Sequence, residues 1–379
     1  MQVPVYDIIN CGPRHRFAAN GKLVHNSQKI NMQNLPGTRR VSEKTPVGTL
    51  LRTPRGFERM RMYNPPTNQV MVEDGTIIDV VHNKELQVWV AGLRDAIMAP
   101  PGKKIVVVDS SQIELRVCHL LAGQMDTVDE LRRGADVYSG FASSVYGRQI
   151  TKADAKERQH GKVGMLQLQY QAGWKSFRNA ARIMGGVRLT EDQAQATVDV
   201  YRNRFTEVRK FWRTADQAIA NMARGGGRYI DQWGLCRTEH NRIVSDGRLP
   251  LVYTNLRQEM ISFDGKDPEL QWVYDDKEKR HMKKIYGGSV TENLCQWIAR
   301  NVVLEQTLDL ERKYGNYARS GEGVVLSVHD EAVLCVDENI ADECLEFSLQ
   351  RMSVPPTWWP ALPVAAEGGI GDRYAEAKH

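Results

Sequence analysis

Two carboxylates stand out by their positions in the chain. The segment Ile105-Val106-Val107-Val108-Asp109-Ser110-Ser111-Gln112-Ile113-Glu114-Leu115-Arg116 sets Asp109 at the end of an apolar strand, Lys104 to Asp109, just before helical spacing begins. Far downstream, Val324 to Val336 reads as a hairpin with His329-Asp330 at its reversal. An ionised Asp is tolerated at such an end only where water or cations reach it. Two strand-end carboxylates, with the backbone carbonyl of Ser110 as a further oxygen, can hold a pair of Mg²⁺ ions roughly 3.5 to 4 Å apart, an arrangement that serves phosphoryl transfer. Taken singly, each Asp reads more readily as a turn or cap residue, so the flanking sequence has to decide.

A second pattern is cationic. Arg158, Lys162, Leu166 and Tyr170 recur every four residues inside a stretch, Lys152 to Met184, that reads as one long helix closed by Gly185-Gly186. They share one slowly winding face about 18 Å long. Two cations there can hold a triphosphate while the apolar and aromatic positions meet sugar and base. Standing alone, such a helix would read as a solvated one with scattered charges.

The third pattern is His25-Asn26-Ser27. An Asn side-chain amide beside its own backbone carbonyl can cyclise and cut the chain, with a neighbouring His moving the proton. Ser27 supplies a hydroxyl nucleophile able to accept an acyl chain before that cut. Upstream, Val3 to Ile9 reads as a strand and Gly12-Pro13 as a turn. Arg16 to Ala19 reads as a short strand, and Asn20-Gly21 as a hairpin turn into Lys22 to Val24.

The elements positioning these residues alternate in no βαβ rhythm, which predicts an α+β fold. Residues 27 to about 93 are mixed, with a hairpin over Gln69 to Val81 turning at Asp74-Gly75. Ser111 to Tyr146 is helical with breaks at Gly123 and Gly134, and Glu191 to about Arg224 reads as another long helix stopped by Gly225-Gly226-Gly227. Short strands fill 228 to 288, Thr291 to Tyr314 is a helix, and Glu338 to Met352 is a helix.

Asp-x-Ser-Gln-Ile-Glu-Leu-Arg from Asp109 resembles motif A of family A (DNA polymerase I type) DNA polymerases, and Val-His-Asp-Glu through Asp330 resembles their motif C. Arg158-Gln-His-Gly-Lys162-Val-Gly-Met-Leu166-Gln-Leu-Gln-Tyr170 resembles motif B, the fingers helix, and Asn31-Met-Gln33-Asn34-Leu-Pro36 resembles the family's Gln-Asn-Ile-Pro segment. The four matches fall in family order between residues 27 and 379. His15, Phe17, Asn20-Gly21 and His25-Asn26-Ser27 resemble the C-terminal end of an intein.

The resemblance implies a right-hand polymerase palm of antiparallel sheet with helices, plus helical fingers. Its expected division is an intein fragment at 1–26, palm at 27–146, fingers at 147–285 and palm again at 286–379. It implies template-directed addition of deoxynucleotides to a primer 3′ end with two Mg²⁺ ions on Asp109, Asp330 and Ser110. Arg158, Lys162, Leu166, Tyr170, Glu114, Gln112, Ile113 and Tyr138 would meet the nucleotide. Glu114 with Tyr170 would leave no room for a 2′-hydroxyl. Gln33, Asn34, Gln296 and His329 would contact primer-template DNA, and Arg94 would brace the site. His15, His25, Asn26 and Ser27 would serve splicing.

Ser27 falls inside the family's Gly-Arg-Leu-Ser-Ser segment. That implies that the thumb is absent here and belongs to an N-terminal polymerase half carrying the other intein fragment. Leu166-Gln167 stands where Phe or Tyr and then Gly are usual, Gln171 replaces a second Gly, and Tyr138 stands where His is common. A leucine at 166 resembles a subset of phage polymerases, which implies a viral source and the host cytoplasm. Two competing readings are a two-metal nuclease, which gives no reason for the cationic helix, and a DNA-binding half that stays idle until joined to its partner.

Composition bounds these readings loosely. A chain of 379 residues exceeds the roughly 250 to 300 at which single cores stop growing, so two or three domains are expected. Charged residues at 26% and hydrophobic ones at 41% are ordinary for a globular protein, and no run of about 18 apolar residues predicts a membrane span. The net charge of +5 is compatible with a polyanionic partner without demanding one. The six cysteines form no CxxC pair, which favours reduced structural thiols over zinc ligation.

Overall fold

The computed structural model describes residues 16–19, 22–25, 39–41, 45–53, 55–80, 89–90, 93–262, 267–276, 281–315 and 322–377. The chain forms two compact units, each assembled from separate stretches of sequence. The first comprises Met1–Ser111, Gln306–Ser353 and Ala366–His379, and the second comprises Gln112–Glu305 with Val354–Ala365.

The first unit is built around the strand Lys103–Ser110. Ile105 to Val108 are four consecutive β-branched residues, all buried, and such a run favours the extended chain when both faces are covered. Each of those burials contributes about 1.5 to 3 kcal/mol. The strand takes antiparallel neighbours on both sides, Glu331–Asp337 and Ala366–Gly371, and Gly323–Val328 adds beyond the former. The helix Tyr374–Ala377 packs Tyr374 and Ala377 among Ile105, Val107, Leu326, Val328 and Val333, and the helix Ala341–Met352 also lies against the sheet.

A second sheet in this unit runs in the order Arg39–Arg40, Trp89–Val90, Leu50–Thr53, Gly56–Asn64, Gln69–Val72, Ile77–Asp79 over a small core of Val41, Leu51, Met60, Val70 and Val80. The hairpin expected at 69–81 is its last pair, closed by Gly75 at φ 85 and by Thr76 N–H donating to Asp74 Oδ1 at 2.8 Å. The long strand Gly56–Asn64 was not anticipated. At the N-terminal end Arg16–Ala19 pairs antiparallel with Lys22–His25, the hairpin that Asn20-Gly21 predicts.

The second unit is mainly helical: Ile113–Ala122, Met125–Arg132, Val137–Tyr146, Ala155–Leu168, Trp174–Gly185, Glu191–Arg204, Thr206–Ala223 and most of Gly287–Tyr314. Gly123 stops the first at φ 76, its N–H reaching back to the last carbonyls, and a Thr190–Gln193 capping box starts the sixth. Two small antiparallel sheets occupy 226–252 and 257–284.

Two expected long helices are each divided. The 152–184 stretch breaks after Leu168: Gln171 takes φ 64, Gly173 is extended, and the carbonyl of Gln169 accepts from Trp212 Nε1–H at 2.9 Å. Tyr170 therefore lies in the turn beyond the helix that carries Arg158, Lys162 and Leu166. The 191–224 stretch breaks at Phe205 (φ −103, ψ 65), whose buried ring packs on Tyr201, Phe141 and His119. Tertiary packing, not a Gly or Pro, ends that helix. No helix among the described residues is long and apolar enough to cross a membrane.

Candidate functional site

In the first unit the two carboxylates come to neighbouring strand ends. Asp109 is the penultimate residue of its strand, and Asp330 sits in the two-residue turn between Gly323–Val328 and Glu331–Asp337. Ser110 N–H donates to the Asp330 carbonyl at 2.8 Å, tying the turn to the end of the Asp109 strand. His329, the first residue of that turn, takes φ 56, a left-handed conformation uncommon for a non-glycine residue. Both carboxylates are half-buried and Ser110 is fully buried.

The register adds a finding absent from the sequence reading. Asp109 stands directly opposite Glu331 on one side and Glu367 on the other, so three carboxylates cross the sheet on one face. Like charges so placed repel, and the row persists only with donors or cations to offset it. One donor is visible: the buried Tyr374 hydroxyl gives its hydrogen to the buried Glu331 carboxylate. Burial first, and then this bond, push the Tyr374 phenol above its ordinary range. The Arg94 guanidinium lies 5.4 Å from the Tyr374 ring centroid. Glu331 was legible as the residue after Asp330, whereas Tyr374, 43 residues away, carried no local signal.

The donor set fits a divalent cation of the Mg²⁺ type. It offers hard carboxylate oxygens at the mouth of a strand pair. Among the described residues no group of three or more His, Cys, Asp or Glu could hold an ion by itself. Mg²⁺ commonly takes one or two carboxylates and completes its shell with water and phosphate oxygens.

In the second unit the helix Ala155–Leu168 presents two unlike faces. His160, Gly161, Val163, Gly164, Met165 and Leu168 are buried, while Lys162 is exposed and Arg158 and Leu166 are half-buried. Gly161 and Gly164 let it approach the helix Val137–Tyr146 closely: a Cβ at 161 would lie 2.3 Å from the Tyr138 carbonyl oxygen, and one at 164 would lie 2.6 Å from the Phe141 ring. This contact brings Tyr138 beside the cations. Arg158 Cζ and Lys162 Nζ lie 5.7 and 5.9 Å from its ring centroid.

Arg158 is not a lone charge. Its Nε donates to Asp136 at 2.6 Å and its Nη2 to the other Asp136 oxygen at 3.2 Å, and Asp136 also accepts from Ser139 as an N-cap. The Asp136 carboxyl is held below its ordinary range; burial opposes this, while the Arg158 and Ser139 bonds drive it. His160, on the buried face, bonds through both ring nitrogens, to the Tyr146 hydroxyl at 2.9 Å and the Thr197 hydroxyl at 3.1 Å. Thr197 gives its only hydrogen to the Gln193 carbonyl, which assigns the His160 proton to Nε2 and leaves Nδ1 to accept from Tyr146.

Glu114 and Tyr170, paired by the sequence reading, meet directly: the Tyr170 hydroxyl donates to Glu114 Oε2 at 2.7 Å. Burial chiefly pushes the Tyr170 phenol well above its ordinary range. Glu292 lies near enough that burial and then the Glu114 charge raise its carboxyl. Gln171, where a glycine was expected, keeps the left-handed conformation glycine would supply, and its Oε1 accepts Gly288 N–H at 2.9 Å. Gln112 is likewise left-handed at φ 57, Ile113 is buried at the head of its helix, and Gln296 is exposed on the helix Gly287–Tyr314. His15, Asn26, Ser27, Gln33 and Asn34 lie outside the described residues, and of His25 only the strand backbone is described.

With this geometry in hand, comparison with known proteins is informative. A family model described as DNA polymerase family A matches residues 9–224. That match opens within the first 26 residues. A DNA polymerase of Bacillus phage SP02 is 28% identical over 291 residues, covering 74% of this chain and 43% of that protein. DNA polymerase I of Pseudomonas aeruginosa is 28% identical over 287 residues, covering 75% of this chain and 26% of that protein. The chain thus spans less than half the length of these curated relatives. Among solved structures, the POL domain of Pol1 from M. smegmatis, in complex with DNA primer-template and dNTP, aligns over 83% of this chain and 47% of that one with a TM-score of 0.50 and 18% identity. That last likeness is one of fold.

Proposed function

The chain belongs to DNA polymerase family A, and from that premise we propose that it carries the palm and fingers of a DNA-directed DNA polymerase. The reaction is template-directed addition of a deoxynucleotide: the primer 3′ oxygen forms a bond to the α-phosphorus, and the bond to the departing pyrophosphate breaks. One observation carries the assignment of the acids, namely the closure of Asp330 onto the end of the Asp109 strand through Ser110 N–H. Two Mg²⁺ ions, when held by Asp109, Asp330 and the Ser110 carbonyl, would favour the ionised 3′ oxygen and offset charge on the pyrophosphate.

The remaining roles fall to the chain's own side chains. Lys162 offers an exposed ammonium to the triphosphate, and Arg158, steered by Asp136, offers its remaining N–H groups beside it. Leu166 and Tyr138 supply apolar surface for sugar and base. Glu114, fixed by Tyr170, fills the place a 2′-hydroxyl would take. Gln33, Asn34, Gln296 and His329 are assigned to primer and template, and Arg94 to the Tyr374–Glu331 support. Phage relatives support a role in phage DNA replication.

Primer extension tests this reading: the chain joined to its N-terminal polymerase half should extend a primed template with Mg²⁺ and deoxynucleotides. Trimming of the primer without extension would instead favour the nuclease reading. Glu114→Ala should raise ribonucleotide incorporation relative to deoxynucleotide by about tenfold or more, the scale on which a pocket discriminates one hydroxyl. Unchanged selection in single-nucleotide kinetics would move the gate to another residue.

We further propose that residues 1–26 serve protein splicing, with His25 and His15 moving protons, Asn26 cyclising and Ser27 as nucleophile. The hairpin Arg16–Ala19 with Lys22–His25 supports this reading. Asn26→Ala should block release of the first 26 residues, read by intact mass. Detection of a product beginning at Ser27 from that variant would remove the splicing assignment.

A further inference from the structure

The helix Tyr374–Ala377 has only four residues, too few to hold by itself, yet its place against the Asp109 strand is fixed from several directions. Tyr374 N–H donates to the Ile97 carbonyl at 3.0 Å, and Ala99 N–H donates to the Asp372 carbonyl at 2.8 Å. Glu376 accepts the N–H groups of Asp372 and Arg373 at 2.9 and 3.1 Å, closing the turn that starts the helix. From the six-stranded sheet, Arg52 pairs with Glu376, and the Phe57 ring centroid lies 4.7 Å from Arg373 Cζ. Arg373 Nη1 in turn donates to the Asp95 carbonyl at 2.7 Å.

Register sets this helix on the face that carries the acids. Ile105, Val107 and Asp109 alternate onto one face of their strand, and Val333 and Glu331, directly opposite Val107 and Asp109, share it. Tyr374 packs there on Ile105, Val107 and Val333, wholly buried, and its hydroxyl ends at the Glu331 carboxylate, itself 1% exposed. Glu331 follows Asp330 in the chain and faces Asp109 across the ladder. A bond that fixes Glu331 therefore acts on both acids at one remove. Phenylalanine would fill the same space, but only the hydroxyl reaches the carboxylate.

We infer that Tyr374 is a positioning residue: its hydroxyl pins Glu331 against the core, so that Asp109 and Asp330 meet a divalent ion in one fixed geometry. The inference rests on the role proposed above for those two acids. Groups that orient metal-holding side chains from behind typically change metal affinity by about 10- to 100-fold when removed. Mg²⁺ demands near-ideal octahedral geometry, whereas Ca²⁺ accepts looser arrangements of oxygens, so a positioning device shows itself as discrimination between the two ions.

The test is displacement of Mn²⁺ from the whole chain, without DNA or nucleotide, by Mg²⁺ and by Ca²⁺, with free Mn²⁺ read by electron paramagnetic resonance. Tyr374→Phe should weaken Mg²⁺ binding about tenfold or more and Ca²⁺ binding distinctly less. Glu331→Leu removes the acceptor, and Tyr374→Phe should add nothing to its effect, because the hydroxyl acts only through that carboxylate. Thermal melting reports whether each variant is folded. The double variant keeps the test decisive even where Tyr374→Phe alone does not fold, since both polar partners leave together.

Parent-like Mg²⁺ affinity in Tyr374→Phe overturns the inference. So does an equal loss for the two ions, or a further loss of about tenfold on adding Tyr374→Phe to Glu331→Leu, either of which makes the ring a packing residue. Asp109→Asn/Asp330→Asn should release both ions. If that variant binds them as the parent does, the assignment of the acids itself fails, by a result in which Tyr374 takes no part.

Discussion

Asp109→Asn and Asp330→Asn are each expected to lower primer extension by about a thousandfold or more in the extension assay proposed above, while the folded chain survives. The side chains are isosteric, so the Ser110 to Asp330 backbone bond and the strand register stand. What would be lost is the negative charge proposed above to hold a divalent cation, a contribution of several kcal/mol to the transition state, and about 1.4 kcal/mol corresponds to tenfold in rate. Asp109→Asn should also leave the melting temperature unchanged or raise it, because it removes the middle charge of the row Glu331, Asp109, Glu367. Extension within tenfold of the parent in single-turnover kinetics would falsify the assignment of that residue.

A second large effect concerns acid. His119 is fully buried, neither ring nitrogen has a hydrogen-bond partner among the described residues, and its ring meets Phe205 edge-on at 5.1 Å; burial pulls its pKa from 6.5 down to about 4. His160 is depressed from 6.5 to about 4 by the same cause. Below pH 6.5 the unfolded chain binds protons that the folded chain refuses, so stability falls as pH drops from about 6.5 towards 4. Each histidine accounts for about 3 kcal/mol over that window, against about 5 to 15 for a whole domain. Urea midpoints should drop steeply from pH 7 to pH 5 and less so in His119→Phe. Equal midpoints at the two pH values would show that neither imidazole is held neutral.

How much of this was legible depends on the range of the cause. Gly123 and the Thr190–Gln193 box announce helix ends locally, and both ends are found there. The hairpins at 69–81 and 324–336 follow from apolar stretches on either side of a turn. The break at Phe205 was not legible, because it is imposed by the rings of Tyr201, Phe141 and His119. The strand Gly56–Asn64 was hidden by charge, since Glu58, Arg59 and Arg61 interrupt its apolar positions.

The candidate site divides in the same way. Asp109 and Asp330 could be picked out from their own neighbourhoods. Asp136 steering Arg158 across 22 residues, and Tyr374 holding Glu331 across 43, could not. Gln171 is the instructive middle case: sequence marked it as an unusual substitution, and only the backbone at φ 64 with the bond to Gly288 explains how it is tolerated.

The strand bearing Asp109 has consequences for how the molecule is made. Both of its partners, Glu331–Asp337 and Ala366–Gly371, lie more than two hundred residues downstream. At ribosomal speeds of about 5 to 20 residues per second, that aliphatic ribbon waits on the order of 10 to 50 s with both edges bare. Bare edges invite pairing with other nascent chains, so chaperone demand during synthesis and sensitivity to premature termination are built into the topology. A stop codon fourteen residues early would remove the strand Ala366–Gly371 and the Tyr374 helix together, leaving one edge of the Asp109 strand uncovered.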